Sequence, residues 1–327
     1  MGMDKKELVR KLLRKGIMVT PDDLERLNEE NLEEFVRNRG FKKTHANGPE
    51  TQEAGDGEKS GADQSEAGTG LRISVARAEA KPRISTQDFV SFYRERFQTL
   101  RGLLAKRVDA VSINKTRNVF SNLSVIGMVK EKTGRGFIIE DETGEIEAVT
   151  DQELGEDDVV GVTGLVKEGR LFAGEITFPD LPFNRDIGKL AGVRIFIGRS
   201  LPKDAEADAF FIAGKAESER KDVTSGLSSP SAIVLVRENE RVAMLYFMPG
   251  PGAGLHQAGE WLKKRHLPLG REDVLGPMDH SVLDPVPDII WLDLEEKGSS
   301  LHKGVLVVSP GPGGALVDLE SKEVEFV

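Results

Sequence analysis

Cysteine is absent from all 327 residues. A chain without thiols builds no disulfide framework, no thiolate zinc site and no cysteine nucleophile, which removes several enzyme classes together. Aromatic residues make up only 6%, with two tryptophans and two tyrosines, so any stacking surface must be drawn mainly from phenylalanine. No apolar run approaches the ~18 residues a membrane-spanning helix needs. The N-terminus, MGMDKKELVRKLL, interleaves basic residues with single apolar ones where a signal peptide has a continuous apolar stretch. No membrane span is expected, and the cytoplasm is the expected compartment. Histidine is scarce: His256, His266, His280 and His302 lack the i,i+4 spacing of a helical metal pair, and His45 falls in a low-complexity stretch. Beside acidic residues on a charged surface such histidines are expected to titrate freely. No Gly-x-Ser-x-Gly elbow surrounds Ser200, Ser225 or Ser309.

What is present is charge, unevenly spread. The net charge is -10, yet residues 71 to 136 carry fourteen Lys and Arg against five Asp and Glu, while residues 137 to 327 carry a net -16. The basic stretch is the one electrostatic footprint suited to nucleic acid. The length suggests two or three domains.

Residues 1–44 read as a small helical module: Leu8, Leu12 and Leu13 recur at helical spacing, and Thr20, Pro21 and Asp22 supply a cap before Leu24 and Leu27. Residues 45–70 are Gly, Glu, Ala, Ser and Asp without an aromatic or β-branched run, the composition of a flexible acidic linker. Residues 71–107 form a connector in which Ser85 and Asp88 have the spacing of a capping box, opening an amphipathic helix through Phe89, Phe92, Phe97, Leu100 and Leu104. From 108 to 182 the period changes to two, and five short apolar stretches punctuated by glycine suit a small OB-type barrel. From 183 to 327 the runs VRIFIG, AFFIAG, AIVLV and VAMLYFM, a helix over 259–265, and four later strands predict an α/β sandwich. The fold class expected is multidomain α+β. The glycine-proline segments 248–254 and 309–314 do not continue into Gly-Lys-Ser/Thr and read as turns at strand ends.

The order of these parts, with the stretches SVIGMVKEKTGRGFIIEDETGEIEAV, EITFPDLP, EWLKKRHLPL and LDPVPDI, resembles the small subunit of archaeal family D DNA polymerase. The resemblance covers most of residues 3–44 and 71–327. It implies a reduced calcineurin-like phosphoesterase sandwich, whose active members hold two metal ions on an Asp-x-His loop, a Gly-Asp loop, a Gly-Asn-His-Asp loop and later histidines. At the matching positions this chain reads Gly198-Arg199-Ser200 for Asp-x-His and Ala213-Gly214-Lys215 for Ala-Gly-Asp. It reads Leu245-Tyr246-Phe247 for Leu-Tyr-His and Asp293-Leu294-Glu295-Glu296 for Gly-His-x-His. No Asn-His pair lies between Gly214 and Ala232.

With Gly198, Ser200, Lys215, Phe247, Leu294 and Glu296 standing where ligands belong, the resemblance implies no metal, no catalytic residue and a lost 3'-5' exonuclease activity. The implied role is a non-catalytic accessory subunit that scaffolds a large catalytic subunit. DNA is a further implied partner, with other replication proteins engaged through residues 1–44. The alternatives are an active exonuclease holding two divalent metals such as manganese, and a free-standing single-strand DNA-binding protein. For DNA contact the candidates are Lys115, Arg117, Lys130, Lys132 and Arg135, with Phe120 and Phe137 as stacking rings. Against this stands the reading that Phe137 is core and the charges only solvate a face, which the acidity of the rest of the barrel favours.

Overall fold

A period of two runs through most of the chain, and the structure, a computed structural model, is accordingly mostly β-sheet with two α-helices among the described residues. It describes residues 63–66, 70–77, 83–117, 120–216, 220–268 and 274–327. The expected helical module of residues 1–44 and most of the expected linker lie outside these residues.

Two strands stand where none was expected. β1 (Asp63–Glu66) falls inside the stretch read as linker, and β2 (Arg72–Arg77) inside the stretch read as connector. β2 alternates correctly, with Leu71, Ile73 and Val75 buried, but its sheet partner lies about 160 residues further on, at Ser231 to Val236. Neighbouring sequence holds no sign of that pairing.

Next comes α1 (Thr86–Leu104). The capping box forms: the Asp88 amide donates to Ser85 Oγ at 3.2 Å, and the Ser85 amide donates to Asp88 Oδ2 at 2.9 Å. Two of the amides a helix start leaves without partners are thereby satisfied. Phe97, Leu100 and Leu104 fall on one face and pack on Ile126 and Val159, which point outward from the barrel.

The barrel is closed in the order β3-β4-β5-β7-β6. Its strands are β3 (Asn122–Lys132), β4 (Gly136–Asp141), β5 (Gly144–Val149), β6 (Val159–Lys167) and β7 (Arg170–Thr177). β3 is long enough to pair with both β4 and β6, and bulges at Val129/Glu131 and Thr163/Gly164 bend the sheet. Gly164 is required at its bulge, because a Cβ there would stand 2.0 Å from the Phe172 carbonyl oxygen.

The remaining strands make two facing sheets. They are β8 (Arg194–Gly198), β9 (Ala209–Ile212), β10 (Val223–Ser225), β11 (Ser231–Arg237), β12 (Glu240–Phe247), β13 (Ile289–Leu292), β14 (Lys297–His302), β15 (Val305–Pro310), β16 (Gly314–Asp318) and β17 (Val324–Phe326). One sheet has the order β1-β2-β11-β12-β13-β15-β14, the other β10-β9-β8-β16-β17. Alternate residues meet between them: Ile195, Ile197 and Phe211 from one, and Ile73, Ile233, Met244, Trp291 and Val308 from the other. The opposite faces are covered too, by α2 (Ala258–Lys264) through Trp261 and Leu262 on the larger sheet, and by Leu201, Ala205 and Ala216 on the smaller. The strands and the helix over 259–265 expected of this part are present, and the whole is mostly β-sheet. Only α2 follows β8 among the described residues, because the β8–β9 connection, 199–208, is short and carries Pro202, Asp204 and Ser200 in place of a helical period.

A buried polar seam joins barrel, α1 and sandwich. Arg96 Nε donates to Asp279 Oδ2 at 2.5 Å and its Nη2 to Ser281 Oγ at 3.2 Å, while Asp157 lies 3.9 Å away. The Arg96 and Asp279 side chains are 3% and 0% exposed. Beside them, Asp158 of the barrel meets Lys264 at 2.8 Å and His266 at 3.2 Å. Burial opposes ionisation of Asp158, but the hydrogen bonds from His266 and Lys264 outweigh it and hold the carboxyl below its ordinary value.

Replacing Asp279 by alanine leaves the buried Arg96 guanidinium with the neutral Ser281 hydroxyl and, as counter-charge, the more distant Asp157, and is expected to reduce the unfolding free energy by about 3 kcal/mol. Arg96→Met with Asp279→Leu should lose much less. Urea denaturation compares the two, and equal losses would show that the uncompensated charge is not the cause.

A second expectation concerns acid. The unfolded chain takes up the Asp158 proton near its ordinary value of about 3.9, and the folded chain only at lower pH. The contact's contribution is therefore complete above about pH 5 and is lost as pH falls through the folded-state value. Asp158→Asn should flatten the acid limb of stability against pH relative to the parent chain.

Candidate functional site

The parallel strands β8 and β9 end at Gly198 and Ile212, and the parallel strands β12 and β13 end at Phe247 and Leu292. A side chain leaving one pair of ends can therefore meet a side chain leaving the other. Arg199, the first residue after β8, does so: its Nε donates to Asp293 Oδ1 at 2.7 Å and its Nη1 to Glu295 Oε1 at 2.5 Å. Tyr246, on β12, donates its hydroxyl to the second Asp293 oxygen at 2.9 Å. Its ring leans on Trp291, centroids 4.6 Å apart.

Both oxygens of Asp293 are thus occupied. The hydrogen bonds to Glu295 and Asp293 raise the Arg199 guanidinium above its already high ordinary value. Burial, with the Asp293 carboxylate beside it, pushes the Tyr246 phenol upward, so it stays protonated as a donor. A fixed cation between two carboxylates is a lock across the two sheets. It offers neither a free base nor an activated nucleophile.

The positions singled out from sequence distribute around this rim. Gly198 closes β8 with its Cα packed under the Phe196 ring, and Ser200 beyond it is exposed. Lys215 is exposed on the loop after β9, which runs beside Arg199, since the Ala213 amide donates to the Gly198 carbonyl. Phe247 is buried under α2, and Leu294 packs partly against the same cluster. Glu296 points away and accepts the Leu255 amide. Among the described residues no group of three or more His, Asp or Glu side chains is placed to hold a metal ion. His266 differs from expectation: it is buried against Asp158 in the seam, not on a charged surface.

The barrel candidates are divided. Lys115 and Arg117 stand at the 3-10 turn Ile113–Thr116, held against the β4–β5 turn by the Ile113 amide on Asp141. Arg135 stands at the other end of β4, six residues from Asp141 and so about 20 Å away at ~3.3 Å per residue. Lys130 meets Glu145 at 2.7 Å and Glu140 at 3.4 Å, and Lys132 meets Glu153 at 2.8 Å. Phe137 is in the barrel core at 3% exposure, whereas Phe120 is 73% exposed.

Sequence reasoning missed the neighbours of Phe120. Leu165 on β6 lies opposite Phe172 on β7, and Asn122 pairs with Leu165. Phe120, Leu165 and Phe172 are all exposed large hydrophobics, and Leu165 and Phe172 stand side by side across β6 and β7. The signal was available in the outward phase of β6 and β7. Tyr246 and Arg199 lay inside segments already compared with ligand motifs, but only as neighbours of the missing ligands.

No family model matches the chain. It is 37% identical over 111 residues to the DNA polymerase II small subunit of Archaeoglobus fulgidus, covering 31% of this chain and 23% of that protein. It is 32% identical over 113 residues to the DNA polymerase II small subunit of Methanothermobacter thermautotrophicus, covering 29% of this chain and 23% of that protein. The matched region spans less than a quarter of the length of these curated relatives. Among solved structures, a chain of the S. pombe Stn1-ten1 complex shows 13% identity and a TM-score of 0.19, covering 21% of this chain and 73% of that one, a likeness too slight to bear on function. No helix among the described residues is long and apolar enough to cross a membrane.

Arg199→Met strips Asp293 of its counter-charge and leaves it only Tyr246. It is expected to reduce stability by about 1–2 kcal/mol, and Tyr246→Phe by about 1 kcal/mol. Thermal unfolding measures both; no loss for either variant would reduce the lock to an ordinary surface ion pair.

Proposed function

We propose that this chain is a non-catalytic accessory subunit of an archaeal-type replicative DNA polymerase, a family D small subunit with an OB-type barrel and a calcineurin-like sandwich that has lost its metal centre. The observation that carries the proposal is the Arg199 guanidinium between Asp293 and Glu295 at the strand ends. A two-metal phosphodiesterase needs convergent carboxylates and imidazoles with free lone pairs at that rim. Here the lone pairs of Asp293 go to Arg199 and Tyr246, and a fixed positive charge opposes a divalent cation. The partial similarity to two DNA polymerase II small subunits supports the family reading.

On this reading the chain acts by assembly, in the cytoplasm, with a large catalytic subunit as its partner and DNA as a secondary contact. The exposed Phe120, Leu165 and Phe172 favour protein docking on the barrel. The carboxylates around Lys130 and Lys132 argue that DNA contact there is weak, since each ammonium already has its counter-charge.

The full chain with Mn²⁺ and an end-labelled single strand is expected to release no nucleotide above a protein-free blank, and to co-purify with a co-expressed large polymerase subunit. Manganese-dependent digestion would establish the exonuclease alternative. Elution alone, with single-strand affinity that falls steeply as salt rises, would establish the free-standing binder.

A further inference from the structure

At the C-terminal end of α1 lies a cavity of about 610 Å³, bordered also by residues 179–188, β12 and residues 284–288. That volume is in the range of small-molecule sites, roughly 300–1,000 Å³. Five cations surround it: Lys106, Arg107, Arg185, Arg241 and Arg265.

The charges of the two buried guanidiniums are met mainly by neutral carbonyls. Arg185 donates Nη1 to the Val286 and Pro287 carbonyls at 3.1 and 2.9 Å and Nη2 to the Gly304 carbonyl at 3.2 Å. Its Nε is buried without a hydrogen-bond partner. The carboxylate nearest it, Asp288 at 3.4 Å, is taken up by the Gly188 and Ala243 amides at 2.9 Å each. Arg265 donates to the Leu283 carbonyl at 2.8 Å and the Asp180 carbonyl at 3.3 Å, with Asp284 at 3.5 Å. The Asp180 carboxylate is itself claimed by Lys303 at 2.6 Å.

Burial, offset in part by Asp284, and repulsion from Arg107 and Arg185 together depress the Arg265 guanidinium below its ordinary value. At the rim, Lys106 and Arg241 are exposed and have no ion-pair partner among the described residues, and Asp186 is the acidic residue that opposes them. Gly188 keeps the wall thin: a Cβ there would stand 2.4 Å from Asp288 Oδ2.

We propose that this cavity binds a phosphate group, with Arg185 and Arg265 as its positively charged floor and Lys106 and Arg241 closing on the anion from the rim. A phosphate offers several acceptor oxygens to guanidinium donors whose planar forks suit it, and it adds negative charge where the five lining cations outnumber the four lining carboxylates, Asp180, Asp186, Asp284 and Asp288. The group can belong to a nucleic-acid backbone or to a free polyphosphate. Lys106 and Arg107 also border an adjoining cavity with Arg101, so cations continue past the end of the first pocket. The site is independent of whether the chain assembles with a polymerase subunit.

The full chain is tested by thermal unfolding with sodium pyrophosphate against sodium chloride at matched ionic strength. A pyrophosphate-specific rise of a few degrees is expected for the parent chain, and none for Lys106→Glu with Arg241→Glu. The milder pair Lys106→Met with Arg241→Met guards against a folding defect and should also lose the rise. Anisotropy of a labelled single-stranded oligonucleotide separates the sources: competition by pyrophosphate, with at least tenfold weaker binding by the charge-reversed variant, assigns the phosphate to nucleic acid. A pyrophosphate effect without such competition assigns it to a free polyphosphate. An equal rise with chloride, an undiminished rise in both variants, or stabilisation by poly-glutamate but not pyrophosphate would overturn the proposal.

Discussion

The larger sheet is built around a strand that the chain lays down before it makes the barrel. β2 pairs with β11 over Ser231 to Val236 and sends Leu71, Ile73 and Val75 into the inter-sheet core. The helix α1 and the barrel, residues 86–177, are therefore inserted between β2 and the later strands of the sandwich. Both ends of the inserted segment are tied down, and α1 lies along the outside of the barrel at Ile126 and Val159. A barrel attached at both ends has far less freedom than one on a single linker, and its docking surface on the sandwich can carry specific polar contacts.

Those contacts are ionic to an unusual degree for a buried seam. Arg96 with Asp279, and Asp158 with Lys264 and His266, remove charges from water, and the desolvation of such pairs roughly cancels their attraction. Their value lies in what they forbid. A barrel rotated from its place leaves a guanidinium and several carboxylates unpartnered in an apolar setting, at several kcal/mol each. The apolar contacts of Phe97, Leu100 and Leu104 tolerate sliding far better, since hydrophobic attraction is non-directional. Packing holds the barrel on, and the charges fix where.

Local pattern carried the strands of the barrel and most of the sandwich, because alternation and glycine turns are written within a few residues of each other. The Ser85–Asp88 cap was legible for the same reason. β2 was not, since half of its evidence lies beyond residue 230. The burial of His266 is not legible locally, because its sequence neighbours are the cations Lys264 and Arg265 and its partner is Asp158, across 108 residues. Phe137 is one of two phenylalanines raised as stacking rings, and only its inward phase in β4 separates it from Phe120. The rim was half legible. Departures from the resembled motifs are readable position by position, but Arg199 as the partner of Asp293 joins residues 94 apart.

That pairing also bears on how the strand ends are held closed. Two sheets whose strands end side by side bring acidic loops together, and repulsion there must be relieved for the ends to stay closed. A divalent ion relieves it by coordination and is lost with acid or chelation, as ligand protonation competes. A guanidinium relieves it permanently, with a charge no physiological pH removes, and Arg199 reaches both Asp293 and Glu295 from one backbone position. Tyr246 then saturates the remaining oxygen of Asp293, so the loop after β13 is fixed by side chains alone. The consequence is a rim whose shape is set by protein side chains. A catalytic rim must instead keep lone pairs free for the ions, accepting a fold that loosens when they leave.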